Sequence, residues 1–255
     1  MQLLKSIETG IRAWRNRVIS PALHRGDAVH CPVCGGNFAH FLPAGTGARA
    51  RPGAVCPRCR SRERDRLTWL FLRDRSDTLF RRHMQFLHIA PEPRLSSFFF
   101  NLIDEGYITA DLMRKDVLVK LDVQDMVYPN ETMDAIYCSH VMQDVPNDRR
   151  ALAECFRVLR PGGWAVLNVP IFEQTTQETD APGNQRARWD KRPDEHVRAY
   201  GLDYDERLRE AGFEVSVFSP ADLEPDADVR KRLGIDGPRT GFVHYVERPA
   251  SDEKA

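Results

Sequence analysis

The chain has 255 residues, of which 42% are hydrophobic and 29% are charged, so it can bury a sizeable core and is neither disordered nor collagen-like. Lys and Arg together number 37, as do Asp and Glu. No apolar run reaches the roughly 18 to 20 residues of a membrane span, and the amino terminus lacks the apolar stretch of a signal peptide. We therefore expect a cytoplasmic protein with no transmembrane segment, made of one large domain and an appendage. The sequence does not specify an oligomeric state.

The zero net charge is a cancellation between two parts of the chain. Residues 1–85 contain 16 Lys and Arg against 6 Asp and Glu, a net charge of +10, and the remaining residues have a net charge of −10. The basic part also contains four of the six cysteines. We interpret the two parts as a small basic segment and a larger domain with a separate role.

Residues 1–25 predict an amphipathic helix. Apolar residues from Leu4 to Val18 recur at steps of three and four, and Pro21 is expected to end the helix. Such a helix can lie on a membrane surface, but packing on the protein's own body is the simpler interpretation, and we assign it no function.

Two Cys-x-x-Cys pairs lie within residues 26–64. Cys31 and Cys34 form the first pair and Cys56 and Cys59 the second, with 21 residues between the pairs, close to the spacing of a four-thiolate zinc site. Four thiolates close the tetrahedron and leave no position for water, so the predicted Zn²⁺ is structural. Redox-active cysteines and two unrelated pairs are the alternatives. The other two cysteines are expected to be buried, unreactive thiols: Cys138 and Cys155.

An arginine series follows the second cysteine pair at alternate positions: Arg58, Arg60, Arg62, Arg64 and Arg66. Such a series can bind the phosphates of a nucleic acid, or it can form a solvated helix face, and Glu63 and Asp65 interrupt it. Nucleic-acid contact is therefore the alternative, which a contiguous exposed arginine surface would favour.

Beyond the cysteines the chain predicts helices alternating with strands. Helices are predicted over 61–83, 95–105, 148–159 and 204–211. Strands are predicted over 85–90, 107–110, 117–123, 135–139, 164–170, 213–218 and 241–247. This alternation predicts parallel βαβ units, with the sheet in the middle and helices on both faces. The exception is 172–200, a polar segment that is too long for an ordinary connection and is interpreted as a functional loop or lid.

Polar side chains follow the first four predicted strands. In an open parallel sheet, ligands bind beyond the carboxyl ends of the strands. An acidic residue about 20 positions beyond the first loop is placed to accept hydrogen bonds from ribose hydroxyls; Asp111 fits, although a helix N-cap is a simpler role. The candidate ligand-binding residues at the strand ends are His88, Ala90, Glu92, Asp111, Leu112, Asp122, Val123, Ser139 and His140.

From about residue 85 to 170, and more loosely to 247, the chain resembles the class I S-adenosylmethionine-dependent methyltransferases with a type 11-like domain. The similarity is carried by Met133-Asp134-Ala135-Ile136, His140-Val141-Met142-Gln143-Asp144-Val145-Pro146 and Leu159-Arg160-Pro161-Gly162-Gly163-Trp164. The resemblance implies a domain over 65–255 with a Rossmann-like, seven-stranded, mostly parallel sheet, whose last two strands form an antiparallel hairpin. It also implies S-adenosylmethionine as cofactor and makes 172–200 a loop or lid on the acceptor side.

The resemblance implies a role for each strand end. Asp111 would hold the cofactor ribose, and Asp122 with Val123 would frame the adenine. Ser139 and His140 would border the methionine end.

One departure from the family concerns the first loop. The family has an acidic residue followed by a Gly-x-Gly-x-Gly run, and here His88, Ala90, Glu92 and Arg94 take those places. Glycine lets a backbone approach its ligand closely, so the change either abolishes cofactor binding or is a subfamily trait. We expect the second, with Glu92 reaching the cofactor's ammonium group.

Methyl transfer to a hydroxyl requires a base near the methyl group, and a histidine titrates near neutrality. His196 and His140 are the candidate catalytic residues. From residue type alone, Arg198 and Tyr200 are interpreted as residues that orient an acceptor. We expect a small-molecule or glycan-precursor acceptor. The alternatives are an RNA methyltransferase that holds RNA with its basic zinc segment, and a non-catalytic zinc-binding adaptor on a degenerate methyltransferase fold.

Overall fold

The computed structural model describes residues 18–45, 51–178 and 196–250. Most of the predicted helix over 1–25 and the middle of 172–200 lie outside these residues. Pro21 lies inside a short helix, Ser20–Leu23, in its first turn, where a missing amide hydrogen costs nothing. The prediction that Pro21 ends the helix was therefore wrong. Within the described ranges, no helix is both long enough and apolar enough to cross a bilayer.

The elements are numbered in chain order. The helices are α1 (Ser20–Leu23), α2 (Glu63–Asp74), α3 (Ser76–Leu79), α4 (Pro93–Ile103), α5 (Asp148–Val158), α6 (Tyr204–Glu210), α7 (Pro220–Leu223) and α8 (Ala227–Leu233). The strands are β1 (Arg25–Cys31), β2 (Gly36–Phe38), β3 (Leu42–Ala44), β4 (Arg51–Val55), β5 (Phe86–Ile89), β6 (Tyr107–Asp111), β7 (Val119–Lys120), β8 (Met133–Ser139), β9 (Leu159–Asn168), β10 (Ile171–Glu173), β11 (Gln177–Glu178), β12 (Arg198–Gly201), β13 (Glu214–Phe218) and β14 (Val243–Glu247).

The chain divides into two compact units. Of the described residues, those up to Arg75 together with Ser219–Thr240 form the first, and Ser76–Phe218 with the residues from Gly241 onward form the second. The first unit therefore contains the cysteine segment 26–64 and helix α2. It also contains Ser219–Thr240, which lies between β13 and β14 and which no sequence pattern connects to the cysteines.

Two antiparallel hairpins, β1–β2 and β3–β4, carry the cysteines of the first unit. Helix α2 supplies Arg66, whose guanidinium has no exposed surface. It donates to the carbonyl oxygens of Ala54, Ser61 and Gly234 at 3.1, 2.9 and 2.7 Å and lies 4.0 Å from the centre of the Phe41 ring. Because Gly234 follows α8, this one side chain connects the hairpins to the distant stretch in the same unit.

The second unit is built on a seven-stranded sheet in the order β13-β14-β9-β8-β5-β6-β7. Strands β9, β8, β5, β6 and β7 run parallel, and β14 is antiparallel to both β9 and β13. The predicted fold class, a Rossmann-like sheet that is mostly parallel and ends in an antiparallel hairpin, is confirmed. Strand β8 is buried along almost its whole length, as expected for a central strand covered on both faces.

Three predicted elements differ from the structure. The strand predicted over 117–123 is only two residues long, Val119–Lys120. The helix predicted over 61–83 is two helices, because the backbone leaves helical geometry at Arg75 and the following Ser76 and Asp77 favour a new helix start. Both described ends of 172–200 form strands, since β12 pairs with β10 and with β11 in a small sheet.

Candidate functional site

The four cysteine sulfurs of the first unit converge on one point. Cys31 Sγ lies 3.6 Å from Cys59 Sγ and Cys34 Sγ lies 3.7 Å from Cys56 Sγ, and all four lie within 4.8 Å of one another. Sulfurs bound at about 2.3 Å to one tetrahedral zinc ion are about 3.8 Å apart. The donor set therefore fits Zn²⁺, and the alternative of two unrelated pairs was wrong.

Both cysteine turns use the same backbone device. Gly35 N donates to Cys31 O and Arg60 N donates to Cys56 O, and Gly35 and Arg60 both have a φ of 65°. The buried hydroxyl of Ser61 lies 3.3 Å from Cys31 Sγ and 3.2 Å from Cys59 Sγ. A hydroxyl at this distance can donate to a metal-bound thiolate and orient it, so Ser61 is a site residue that the spacing of cysteines alone could not reveal.

The arginine series after the second cysteine pair does not form one exposed face. Only Arg58 is exposed; Arg66 is fully buried, and Arg64 Nε lies 3.6 Å from Asp65 Oδ1. Glu63 is buried and paired with Arg51 at 3.3 Å. The contiguous arginine surface that nucleic-acid binding by this series requires is therefore absent from these residues.

The first loop of the second unit follows β5. Ala90 has a φ of 51°, a left-handed conformation that glycine usually adopts, and its amide donates to Ala110 O at 2.7 Å. His88 has no exposed surface. Glu92 is the N-cap residue of α4, which starts with Pro93, and its side chain is 15% exposed. The loop thus has the turn geometry of a glycine-containing loop without a glycine.

Asp111 ends β6 and is 9% exposed. Its Oδ1 accepts from the amides of Met113 and Arg114 at 2.7 and 2.9 Å, so it closes a turn, whereas the simpler expectation was a helix N-cap. Among the described residues, Oδ2 has no hydrogen-bond partner. Arg114 also donates to Pro91 O at 2.5 Å, which ties the loop after β6 to the loop after β5.

Asp122 and Val123 follow β7. Asp122 Oδ1 accepts from the Gln124 amide at 2.9 Å, and within the described ranges Oδ2 makes no hydrogen bond. Val123 is buried, whereas Leu112 at the neighbouring strand end is 47% exposed. Asp111 and Asp122, which follow adjacent strands, therefore each have one carboxylate oxygen without a hydrogen-bond partner among the described residues. The exposed side chain of Leu112 follows Asp111 directly.

Ser139 and His140 end β8. Ser139 is buried, and its backbone is in register with Asn168 of β9. His140 has a φ of 55°, and its backbone is held by Asn168 O, which accepts from the His140 amide at 2.7 Å, and by Gln143 Nε2, which donates to His140 O at 2.7 Å. A strained conformation persists only when the surroundings fix it.

His196 lies beside the same turn. Its Nδ1 is 2.8 Å from Asp144 Oδ1, and both side chains are 12% exposed. The Val197 amide donates to Gln143 O at 3.0 Å, which fixes the start of β12 against this turn. Sequence reasoning missed Asp144 as a partner, although it lies within the quoted motif four residues after His140.

The two residues guessed to orient an acceptor are engaged elsewhere, and that guess was wrong. The Arg198 guanidinium is buried and donates to Met142 O, Val145 O and Pro146 O. Tyr200 has no exposed surface and donates to Asp148 Oδ2 at 2.7 Å, and burial raises the pKa of its hydroxyl well above the usual value. Arg198 thus stabilises the turn that carries Asp144, and Tyr200 is hydrogen-bonded to the first residue of α5.

Cys138 and Cys155 are both buried, as expected. Burial raises the pKa of the Cys155 thiol well above its usual value, which keeps it protonated and unreactive.

Residues 104–167 match the family model described as "Methyltransferase domain". This stretch runs from the end of α4 almost to the end of β9, so it covers the acidic strand ends and the His140 turn. The family match thus agrees with the predicted resemblance and with the predicted enzyme class, an S-adenosylmethionine-dependent methyltransferase, over about a quarter of the chain. No curated protein matches the chain.

Several solved structures are similar to the chain. An S-adenosylmethionine-dependent methyltransferase from Mesorhizobium loti has 15% identity and a TM-score of 0.48, over 71% of this chain and 98% of that one. The YcgJ protein from Bacillus subtilis has 14% identity and a TM-score of 0.44, over 72% and 99%. A complex of the Haloferax volcanii Trm112 methyltransferase activator with a methyltransferase has 16% identity and a TM-score of 0.46, over 72% and 91%.

Proposed function

We propose that the chain transfers the methyl group of S-adenosylmethionine to a hydroxyl of a small molecule or glycan precursor. The observation that carries the proposal is the His196–Asp144 pair beside the turn that ends β8. A histidine with its Nδ1 held by a carboxylate is an oriented general base, and such a base is needed when the acceptor is a hydroxyl.

The order of strand ends in the sheet supports the cofactor site. Strands β7, β6, β5 and β8 are neighbours, about 4.8 Å apart, and their ends carry Asp122, Asp111, Glu92 and His140 in that order. In this proposal Asp122 and Val123 contact the adenine. Asp111 Oδ2 accepts hydrogen bonds from the ribose hydroxyls, and Leu112 packs against the adenine ring. The methionine end then lies between Glu92 and His140, with Ser139 at its border.

The glycine-free loop is compatible with this proposal. Ala90 already has the left-handed φ that a glycine would supply, and its methyl group is the smallest side chain that can replace hydrogen there. Glu92 offers a carboxylate to the cofactor's ammonium group, a charge-assisted contact. These two features support the interpretation of a subfamily trait rather than a loss of binding.

When bound, S-adenosylmethionine would supply a methyl group on a sulfonium, whose carbon a positioned nucleophile would attack with the neutral thioether as the leaving group. The residues of this chain must hold the acceptor, exclude water and remove its proton. With Nδ1–H donating to Asp144, the basic nitrogen of His196 is Nε2, which would take the acceptor proton, and Asp144 would stabilise the imidazolium that forms. His140, the second candidate base, is proposed to border the methionine end instead, because its backbone is the part that the turn fixes.

The cysteine centre is proposed to hold a structural Zn²⁺ through Cys31, Cys34, Cys56 and Cys59. A closed four-thiolate site has no open position and supplies folding free energy rather than catalysis. The buried Arg66 and paired Arg64 argue against RNA binding through the arginine series, so we propose the small-molecule acceptor over RNA.

Methyl-labelled S-adenosylmethionine tests the proposal when it is supplied with sugar nucleotides and other hydroxylated small molecules, and with total RNA in parallel. Label should enter a small molecule, and His196→Gln should lower the rate roughly 10²- to 10⁴-fold without weakening cofactor binding, with Asp144→Asn acting in the same direction. The matched control is Asp125→Asn, because this carboxylate is 84% exposed and should leave the rate unchanged. Ribonuclease-sensitive label would contradict the acceptor class, and full activity of His196→Gln would contradict the base.

A further inference from the structure

His88 is a polar side chain in an apolar position. It is in β5, at the centre of the sheet, and has no exposed surface. Burying an imidazole costs free energy unless its nitrogens are hydrogen-bonded. Nδ1 lies 2.8 Å from the Tyr107 hydroxyl and Nε2 lies 3.0 Å from Glu92 Oε2. Both nitrogens therefore have side-chain partners within the protein.

The packing around His88 fixes the plane of its ring. Phe99 and Tyr137 meet the ring edge-on, at centroid distances of 5.1 and 5.0 Å and interplanar angles of 90° and 88°. Side chains this closely packed keep one rotamer. The direction in which Nε2 points is thus determined by the core and not by the loop.

The Glu92 carboxylate determines which imidazole nitrogen carries the hydrogen. A carboxylate only accepts hydrogen bonds, so His88 Nε2–H donates to Glu92 Oε2. In a neutral imidazole Nδ1 is then the acceptor, and the Tyr107 hydroxyl 2.8 Å away donates to it. The three side chains form a chain of donors that runs from the sheet to the loop.

Glu92 is the outer end of this chain. Its backbone carbonyl accepts from the amides of Leu95 and Ser96, so the main chain of the residue is fixed as well. His88 holds Oε2, whereas Oε1 has no hydrogen-bond partner among the residues that the structure describes. One carboxylate oxygen is thus anchored and the other is presented beyond the carboxyl end of β5.

We infer that His88 is a positioning residue that acts through Glu92, so that the pair recognises the ammonium group at the methionine end of the cofactor and nothing of its adenosine part. This inference rests on the proposed function. An ammonium requires acceptors in a defined place, and a carboxylate with one anchored oxygen provides one at a low entropic cost.

Two ligands that differ only at the amino-acid end separate this role from a structural one. S-adenosylhomocysteine has the ammonium group, and 5′-methylthioadenosine shares the adenosine and the thioether but has no amino-acid end. Calorimetric titration of the zinc-loaded chain with each ligand gives a ratio of affinities. Glu92→Gln should weaken the binding of S-adenosylhomocysteine by roughly 10- to 100-fold, and His88→Phe should weaken it by about 10-fold. In both variants the affinity for methylthioadenosine should change less than twofold.

Two further variants complete the test. His88→Gln, whose side-chain amide can donate to Glu92, should restore most of the affinity for S-adenosylhomocysteine. Asp111→Ala should weaken the binding of both ligands, since both contain the ribose. If His88→Phe weakens both ligands equally, or weakens neither, the inference is overturned while the proposed function stands. If the unmodified chain binds neither ligand, the proposed function fails and takes the inference with it.

Discussion

Three of the six non-glycine residues that have a positive φ in the described part of the chain stand in turns that carry candidate site residues. They are Arg60, Ala90 and His140, with φ values of 65°, 51° and 55°. A non-glycine residue pays about 1–2 kcal/mol for this conformation. The turns therefore hold geometries that their side chains do not favour, which is common at binding sites.

Ala90 allows a direct test of the first loop. Ala90→Gly removes the steric cost but adds conformational freedom to the unfolded chain, so the free energy of unfolding should change by less than about 1 kcal/mol, and cofactor binding should be kept. Ala90→Val places a branched side chain at a positive φ and should destabilise the fold by roughly 1–3 kcal/mol. Urea denaturation of the two variants measures the difference. Equal stability of both would show that the loop does not hold this conformation in solution.

His244 predicts a specific dependence of stability on pH. Burial lowers the pKa of this histidine from 6.5 to about 4, and Nδ1 has no hydrogen-bond partner in the described part of the chain. Between pH 6.5 and pH 4 the unfolded state binds a proton that the folded state does not, so the free energy of unfolding falls as the pH falls, by roughly 3 kcal/mol in total.

His244→Phe should remove this part of the acid destabilisation, because the ring packs edge-on against Tyr204 and a phenyl ring can do the same. Denaturation curves at pH 7 and pH 4.5 measure the difference in slope between the variant and the unmodified chain. The exposed His40 gives the control, since His40→Gln should keep the original slope. A His244→Phe chain that loses as much stability in acid as the original would exclude His244 as the source.

Strand ends could be predicted from the sequence because alternation of apolar runs and helices determines which residues follow parallel strands. Asp111 and Asp122 were found in this way. The partner of His196 could not be found, because Asp144 lies 52 residues away and a tertiary contact, the hydrogen bond from the Val197 amide to Gln143 O, brings the two segments together. Sequence spacing contains no information about such a contact.

At the scale of elements, the cysteine unit combines parts that are far apart in the chain. The hairpins and their spacing were predictable, since Cys-x-x-Cys turns have a local geometry. The participation of Ser219–Thr240 was not, because the connection is made by Arg66 and Gly234, which are 168 residues apart. The split of the predicted helix at Arg75 was also missed, and it falls at the boundary between the two units.

Metal analysis tests the cysteine unit. The purified chain should contain one zinc ion per molecule, and Cys31→Ser should lose it and destabilise the unit, since a structural zinc contributes folding free energy directly. Cys155→Ala is the matched control, because this thiol is buried in α5 and far from any metal ligand in sequence; it should keep the full zinc content. A metal-free chain that unfolds as cooperatively as the zinc-loaded one would contradict the structural role.

At the scale of the whole molecule, the balance of 37 basic and 37 acidic side chains describes neither part of the chain. The basic excess lies in residues 1–85, yet the arginines that produce it are partly used inside the first unit, where Arg66 is buried and Arg51 is paired with Glu63. Net charge alone would have favoured a nucleic-acid partner. The burial of Arg66 and the pairing of Arg51 favour a basic segment whose arginines stabilise the fold of the first unit.

Binding of S-adenosylmethionine is the property on which the proposed methyl transfer depends. Calorimetric titration of the zinc-loaded chain with S-adenosylmethionine and S-adenosylhomocysteine should give one site per chain. Asp111→Ala should weaken both ligands by roughly 1.5–3 kcal/mol, the range for a hydrogen bond to a charged group, while Asp125→Ala leaves both unchanged. The absence of heat for either ligand at concentrations near roughly one millimolar, where even a weak site of about −4 kcal/mol is half filled, would contradict the account.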